Sequence, residues 1–513
     1  MKQVYQTFLQ LLLLTTCQGF NIMILHNFGT KSHLYQIFPM VEELLARGNH
    51  VTGAYYGSAG IEHENYTEII IPNLYDKILS EFTTMLVKDG VGATSPRLIW
   101  WGINIWYGIN DELAEKTFGN PEIKKMIEEK TKVDVVITML PFGALLAHFF
   151  DCPIIQFSPT GPFFSQLEFV GNILNPSVQP YLFTTFIEPM SFKERLINHL
   201  LYKISSLGVE WFSKQGATVM SKHYNMQIPS AADVMREKTA LLLTCSHPVT
   251  HGAWPYTPAV VEIGGIHLKP TKPLPKDLQM FLDDSPQGVV LVSFGTTLSP
   301  SAMPNSKKAI FIESFRELKI PVIWKWDSEI EDLPENVRVF DWLPQQDLLA
   351  HPNLKVFVTH GGLLSVTEAL YHKTVIVGIP FVNDQKPNLR RAEKNGYAKM
   401  LDWNSLTQND LTKAIKDSIE DKKMKSSLEK MHTLFTDQSQ TPAYRAAWWV
   451  EHVCKNKGAP LLKSIGMEAP WYSYHHIDIF IFICMVLTAS LVGSFLCCQL
   501  CLKFCFSRKI KSE

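Results

Sequence analysis

This sequence of 513 residues has no surplus of charge: 48 Lys and Arg stand against 49 Asp and Glu, a formal net charge of -1. Without a basic field it cannot bind nucleic acid by counterion release, so no nucleic-acid partner is expected. It has no Gly-x-Gly-x-x-Gly run and no Walker loop, which leaves a dinucleotide or ATP site without motif support. Cysteine is sparse where it would matter for a scaffold. Of nine Cys, only Cys152, Cys245 and Cys454 lie away from the two ends, and they have no metal-ligand spacing. Structural thiols are expected there, one disulfide being the alternative, and no metal. Disorder is excluded as well, because 46% hydrophobic and 11% aromatic content with balanced charge is a globular composition.

What is present is unevenly placed. Lys2 precedes a short apolar run, Phe8-Leu9 and Leu11 to Leu14, and small residues follow at Cys17 and Gly19. That order describes a secretory signal over residues 1–19, too short to span a bilayer. At the far end, residues 479–502 form a charge-free apolar stretch, and about 20 such residues cover roughly 30 Å of hydrocarbon. Trp471, Tyr472 and Tyr474 lie before it, in a juxtamembrane segment of residues 464–478, like an interfacial aromatic belt. Lys503, Arg508, Lys509 and Lys511 follow it in a tail of residues 503–513. The positive-inside rule puts that tail in the cytosol and the rest in a lumen, a single-pass type I arrangement. Lys509 and Lys511 lie where a dilysine signal retrieves membrane proteins to the endoplasmic reticulum. Asn65-Tyr66-Thr67 is then a luminal glycosylation acceptor at Asn65.

Roughly 450 residues remain between these segments, enough for two domains. Pro270, Pro273, Pro275 and Pro286 mark a linker over residues 266–286, separating residues 20–265 from residues 287–463. Short apolar strands (Asn21 to Leu25; Val289 to Val292; Val322 to Trp326; Val337 to Phe340; Leu354 to Thr359; Val375 to Ile379) alternate with helical segments such as Leu363 to Tyr371. This is an α/β pattern of two parallel-sheet domains, with ligands beyond the carboxyl ends of the strands. The stretches Leu98 to Trp101, Trp106-Tyr107 and Phe163-Phe164 are either core or the lining of a lipophilic pocket, the first reading being favoured.

The densest chemistry runs from Phe340 to Asn388. His360-Gly361-Gly362 ends a strand and opens a helix, where unpaired amides and the helix dipole favour a diphosphate. His360 can donate a hydrogen bond, and Ser365 can add another from the first turn. Glu368 lies one turn on and can accept both ribose hydroxyls. Trp342 offers a flat ring for a base, and Asp384-Gln385 is expected to cap the next helix and face sugar hydroxyls.

This run resembles the signature of the UDP-glycosyltransferases, most closely the membrane-bound invertebrate glucosyltransferases with the two-domain GT-B fold. Phe169 to Asn172 with Asn175-Pro176, Gly264 to His267, Val292-Ser293-Phe294-Gly295-Thr296, Trp324-Lys325-Trp326, Asp341 to Gln346 and Ala447-Trp448-Trp449 before Gly458-Ala459-Pro460 extend the likeness over nearly the whole chain. The resemblance implies that the C-terminal half binds a UDP-sugar, with Ser293, Thr296 and Gln345 among its contacts, and that the N-terminal half binds the acceptor. It implies inverting transfer of a hexose, glucose rather than glucuronate, to a small lipophilic hydroxyl compound, the UDP-sugar being a co-substrate and no cofactor being needed. It also implies the membrane anchor, and a homo- or hetero-oligomer as a partner state.

By the same resemblance His33, in Gly29-Thr30-Lys31-Ser32-His33, is the general base. The acidic residue that orients this His in the family aligns with Met139, and a thioether cannot stabilise an imidazolium. Thr138 is the nearby group able to hydrogen-bond His33. A second departure is His372-Lys373-Thr374-Val375, where the family carries a Gly and a Pro. Two functions stand against each other: a transferase, slowed or restricted to pre-ionised acceptors, and an impaired homologue that binds UDP-sugar or lipophile as a regulatory or oligomeric partner. A single-span receptor would fit the topology but leave the run from Phe340 to Asn388 unexplained.

Overall fold

Two parallel sheets organise the chain in the computed structural model, which describes residues 19–73, 112–182, 184–295, 303–381, 384–474 and 476–510. The expected signal, Thr296, Lys511 and the aromatic stretches of residues 98–101 and 106–107 lie outside the described residues. The first sheet consists of β1 (Asn21–His26), β2 (His50–Tyr55), β3 (Tyr66–Ile70), β4 (Val135–Thr138), β5 (Ile154–Ser158), β6 (Thr239–Thr244) and β7 (Val260–Glu262), in the order β3-β2-β1-β4-β5-β6-β7. The second consists of β8 (Val289–Ser293), β9 (Val322–Lys325), β10 (Val337–Phe340), β11 (Leu354–Thr359), β12 (Val375–Gly378) and β13 (Ala398–Met400), in the order β10-β9-β8-β11-β12-β13. Neighbouring strands pair in parallel throughout.

The physical reason lies in the strand sequences. Ile22-Met23-Ile24-Leu25 and Val289-Val290-Leu291-Val292 have no polar alternation, and every one of these side chains is buried. Such strands need cover on both faces, and a parallel sheet with crossover helices supplies it. Helix α1 (Lys31–Ala46) provides part of that cover by burying Leu34, Phe38, Val41, Leu44 and Leu45 against the first sheet. Both sheets reverse their strand order at one place, between β1 and β4 and between β8 and β11. Such a reversal of strand order marks the place, at the carboxyl ends, where α/β sheets bind ligands.

The proline-rich linker is not extended throughout. Its second half is α2 (Lys276–Asp283), which buries Leu278 and Leu282 in the core of the second sheet. Two further helices of the second sheet carry candidate site residues, α3 (Leu363–Tyr371) and α4 (Gln385–Lys394). A last helix, α5 (Pro442–Asn456), follows the second sheet in sequence but buries Ala446, Ala447, Val450 and Val453 in the core under the first. Glu451 fixes that crossing by accepting from Arg47 Nη1 at 3.1 Å and Asn49 Nδ2 at 2.8 Å.

Between α3 and β12 the backbone of Lys373 takes a left-handed conformation, φ 59°. Glycine reaches this region freely, whereas an L side chain is strained there by about 1–2 kcal/mol. Lys373 gains only an exposed ion pair with Glu429 at 3.4 Å, which stabilises little. Lys373→Gly is therefore expected to stabilise the chain by about 0.5–1 kcal/mol, once glycine's extra unfolded-state entropy is counted. Denaturant titration of the detergent-solubilised protein checks this, and a fall in midpoint would contradict it.

Residues Lys463–Glu513 form a separate compact unit. Its helix α6 (Ile477–Ile510) contains Ile477–Lys503, 27 residues that are long and apolar enough to cross a membrane. The stretch expected from sequence lies within it.

Candidate active site

His33 stands at the carboxyl end of β1, in the first turn of α1, where its N–H donates to Thr30 O at 2.8 Å. The ring is half-buried. Its Nδ1 is sealed and has no hydrogen-bond partner. Gly29 closes that edge: at φ +136° it passes so near that a Cβ would stand 2.5 Å from His33 Nδ1. Any side chain at position 29 would push the ring aside. Burial presses the His33 pKa down to about 4, so the ring is neutral at physiological pH.

A second imidazole, which sequence reasoning passed over, lies behind it. His26 ends β1, is 2% exposed, and neither of its ring nitrogens has a partner. Its ring meets His33 edge-on at 6.2 Å between centroids and also packs on Tyr56 and Phe157. Burial first, then the neighbouring His33, hold His26 well below its ordinary pKa. Leu25 pairs with Thr138 across the β1–β4 ladder, so Met139 emerges level with His26 at the carboxyl end. Thr138 does not serve His33, contrary to the sequence expectation. Its hydroxyl donates to Leu140 O at 3.3 Å, packed where a Cβ on Gly143 would strike it. His33 is thus flanked by a second neutral ring, and no carboxylate among the described residues is bonded to it.

The second crevice, between β8 and β11, gathers most of the residues singled out in its half. His360 directly follows β11 and is 6% exposed, its Nδ1 3.4 Å from Thr359 Oγ1. Two backbone turns cradle the ring: a Cβ on Gly295 would stand 2.9 Å from Cε1, and one on Gly362 2.6 Å from Nε2. Burial, then the charge of Lys325, lowers His360 to about 4, so the neutral ring has one N–H to donate. Ser293 ends β8 and accepts from Gly295 N at 3.4 Å. With Gly361-Gly362 leading into α3, this corner offers amides, a helix N-terminus and an imidazole to an anion.

Lys325 adds the cation. Its Nζ donates to Gly295 O at 2.9 Å and lies 5.2 Å over the ring of Trp342. Trp342 is 60% exposed, so its ring remains available for stacking. On α3, Ser365 and Glu368 are joined by one donor, Gln345 Nε2, at 3.3 Å and 2.5 Å. His267 Nε2 stands 3.7 Å from the other Glu368 oxygen.

At the start of α4, Asp384 departs from expectation. It makes no capping bond, and its Oδ2 instead accepts from Asn388 Nδ2 at 2.8 Å. Asn388 also donates to Gly361 O at 3.2 Å, tying this helix to the His360 turn. Gln385 Oε1 accepts from Phe381 N at 2.8 Å, which orients its amide. Lys325, Asn388 and His26 were missed in sequence. The signals were slight: a Lys closing an apolar strand, an Asn four residues after Asp384, a polar residue ending β1. Of the remaining expected sites, Asn65 lies half-exposed in the turn before β3, and Lys509 lies in α6.

The two crevices approach each other. The charge of Lys31, at the start of α1, is felt at Lys325. Leu363, at the start of α3, is buried in the core of the first sheet. From α4, Arg391 Nη2 bonds Glu188 Oε1 at 2.7 Å and Lys394 Nζ bonds Glu188 O at 2.9 Å, and Asn395 just after it bonds Val249 O through Nδ2 at 3.2 Å.

Burial raises the Glu368 pKa from the ordinary 4.5 to about 7, although Gln345 and Gln346 pull it back. A carboxyl raised in the fold contributes stability that is complete below pH 4.5 and lost as pH rises through 7. Glu368→Gln should therefore be more stable than wild type at pH 8, by on the order of 3 kcal/mol at most, and unfold at a higher temperature there. The gap should close toward pH 4. Scanning fluorimetry at both pH values decides it, and an equal gap at both would rule this origin out.

A family described as UDP-glucoronosyl and UDP-glucosyl transferase matches residues 31–512. The chain is 30% identical to a UDP-glycosyltransferase, UGT5, of Dactylopius coccus, over 92% of this chain and 90% of that one. It is 28% identical to the UDP-glucuronosyltransferase 2B7 of Homo sapiens, over 94% of this chain and 93% of that one. In fold it is similar to the glycosyltransferase of kitacinnamycin (TM-score 0.57, 19% identity, 85% of this chain and 99% of that one) and to the calicheamicin glycosyltransferase CalG4 (TM-score 0.54, 18% identity, 86% and 99%). The architecture is GT-B, and this chain belongs to the UDP-glucuronosyl and UDP-glucosyl transferase family.

Proposed function

We propose that the chain transfers glucose from UDP-glucose, with inversion, to small lipophilic acceptors that ionise easily, and that His33 is the base. The acceptor oxygen attacks the anomeric carbon, the bond to UDP breaks with its electron pair, and His33 takes the acceptor proton. In this reading His360, the α3 amides and Lys325 hold the departing diphosphate, Trp342 stacks the base, Glu368 accepts from the ribose, and Asp384 with Gln385 meets the sugar. The observation that carries the acceptor class is the sealed, unpaired Nδ1 of His33 with His26 behind it. A base that neither a carboxylate nor water stabilises when protonated is weak. It suits a phenol, near pKa 10, or a carboxylic acid already ionised, better than an aliphatic alcohol.

The same observation favours a second reading, an impaired homologue that binds UDP-sugar or lipophile for a partner. A donor-by-acceptor screen read by mass spectrometry, with acceptors graded by acidity, separates them. Products from phenols and acids but few from aliphatic alcohols are expected. Equal rates on both would overturn the acceptor class, and UDP binding without any product would leave the second reading. We infer further that α6 anchors the chain with both sheets in the lumen of the endoplasmic reticulum, that Asn65 is glycosylated, and that Lys509 with Lys511 is the retrieval signal.

A further inference from the structure

Of nine cysteines, four fall within nine residues near the carboxyl end of α6: Cys497, Cys498, Cys501 and Cys505. Cys497, Cys498 and Cys501 are free and exposed. Cys497 and Cys501 share one helix face at i and i+4, with Cys498 adjacent. Their depth is fixed by length. From Ile477, about 20 residues cover the roughly 30 Å of hydrocarbon, which brings its far boundary to about residue 497. The cysteines therefore begin where the apolar requirement ends, and Lys503, Arg508 and Lys509 follow at once.

No structural role accounts for thiols at this level. They fill no core, since α6 exposes every side chain from Asp478 to Lys503. They hold no metal, for among the described residues no group of three His, Cys, Asp or Glu is arranged to bind one. A leaflet facing the cytosol is reducing, which argues against disulfides. The nearby cations favour thiolates and draw the segment to an anionic leaflet surface. A thiolate there meets the carboxyl ends of fatty acyl chains.

We propose that Cys497, Cys498 and Cys501 are S-acylation sites that take long-chain fatty acyl groups from an acyl-coenzyme A donor at the cytosolic leaflet. The thiolate attacks the acyl carbonyl, a new thioester bond to cysteine forms as the thioester bond to coenzyme A breaks, and the cysteine proton ends on the coenzyme A thiol. Nothing is oxidised or reduced. The attached chains fold back into the bilayer and hold the following basic tail, with Lys509 and Lys511, flat against the membrane. The inference rests on the orientation given under the proposed function and is independent of the transferase chemistry.

The full chain, expressed in cells fed an alkyne-tagged palmitate, is captured and reacted with a fluorescent azide. The expected result is a label removed by neutral hydroxylamine and lowered at least tenfold in Cys497→Ser/Cys498→Ser/Cys501→Ser. Absence of label in wild type, or undiminished label in the triple variant, overturns the assignment. A label removed by Cys505→Ser alone overturns it equally, as does a disulfide-linked dimer in place of the label. Sealed microsomes separate the underlying orientation: after hydroxylamine, an impermeant maleimide should add to these cysteines from outside. Addition only after detergent opens the vesicles would overturn both the orientation and the proposal.

Discussion

Met139→Asp is expected to accelerate transfer to an aliphatic alcohol by up to about 10⁴-fold, what an orienting carboxylate contributes beside a catalytic histidine elsewhere. His33 now presents a sealed Nδ1 with no partner, so protonation during the reaction leaves a cation that nothing bonds. A carboxylate just past the end of β4 would bring a negative charge to the end of β1, where His26 and His33 pack, and stabilise that cation. It would also lift the base above the value of about 4 that burial imposes. The gain should be selective. An acceptor already ionised needs no base, so its rate should change little, and the ratio of alcohol to carboxylic acid turnover should carry the effect. Equal gains on both classes would point to a structural repair, and no gain on the alcohol would place the missing carboxylate elsewhere.

The placement of these residues at the carboxyl ends was readable because parallel sheets leave few alternatives. Unbroken runs such as Val289 to Val292 demand cover on both faces, and His360-Gly361-Gly362 could sit only where a strand becomes a helix. What stayed hidden depended on approach in space. The crossing of α5 to the first sheet turns on Glu451 meeting Arg47 and Asn49, about four hundred residues away in sequence. His26 reads as one polar residue at a strand end, and only the packing of α1 brings it against His33. Asp384 has the composition of a helix cap, yet Asn388, one turn later, takes its carboxylate. Thr138 was the reasonable donor for His33, until a carbonyl two residues away proved nearer to its hydroxyl. Local pattern tells which end of a sheet works. It does not tell which of two polar neighbours a side chain will choose.

With the role proposed for His33, His33→Ala should lower transfer to a phenol by about 10²-fold, the low end for general base catalysis, because burial makes its ring a weak base. In Met139→Asp the same change should remove more, close to the whole of what the carboxylate added, since an orienting group acts only through the ring it orients. The two substitutions therefore form a cycle whose non-additivity measures their coupling directly. The pH profile supplies an independent reading. A base must be unprotonated to act, so activity is lost as pH falls through its pKa; with His33 held at about 4, the wild-type rate should stay level from pH 8 down to about 5. Asp at position 139 should move that fall upward toward neutrality, and His33→Ala should abolish it. An unchanged phenol rate in His33→Ala would remove His33 from the chemistry. A wild-type fall centred near 6.5, the ordinary histidine value, would instead mean that the ring is solvated during turnover. In that case the crevice at β1 and β4 must open to water before each transfer, and the selectivity for acidic acceptors would vanish with it.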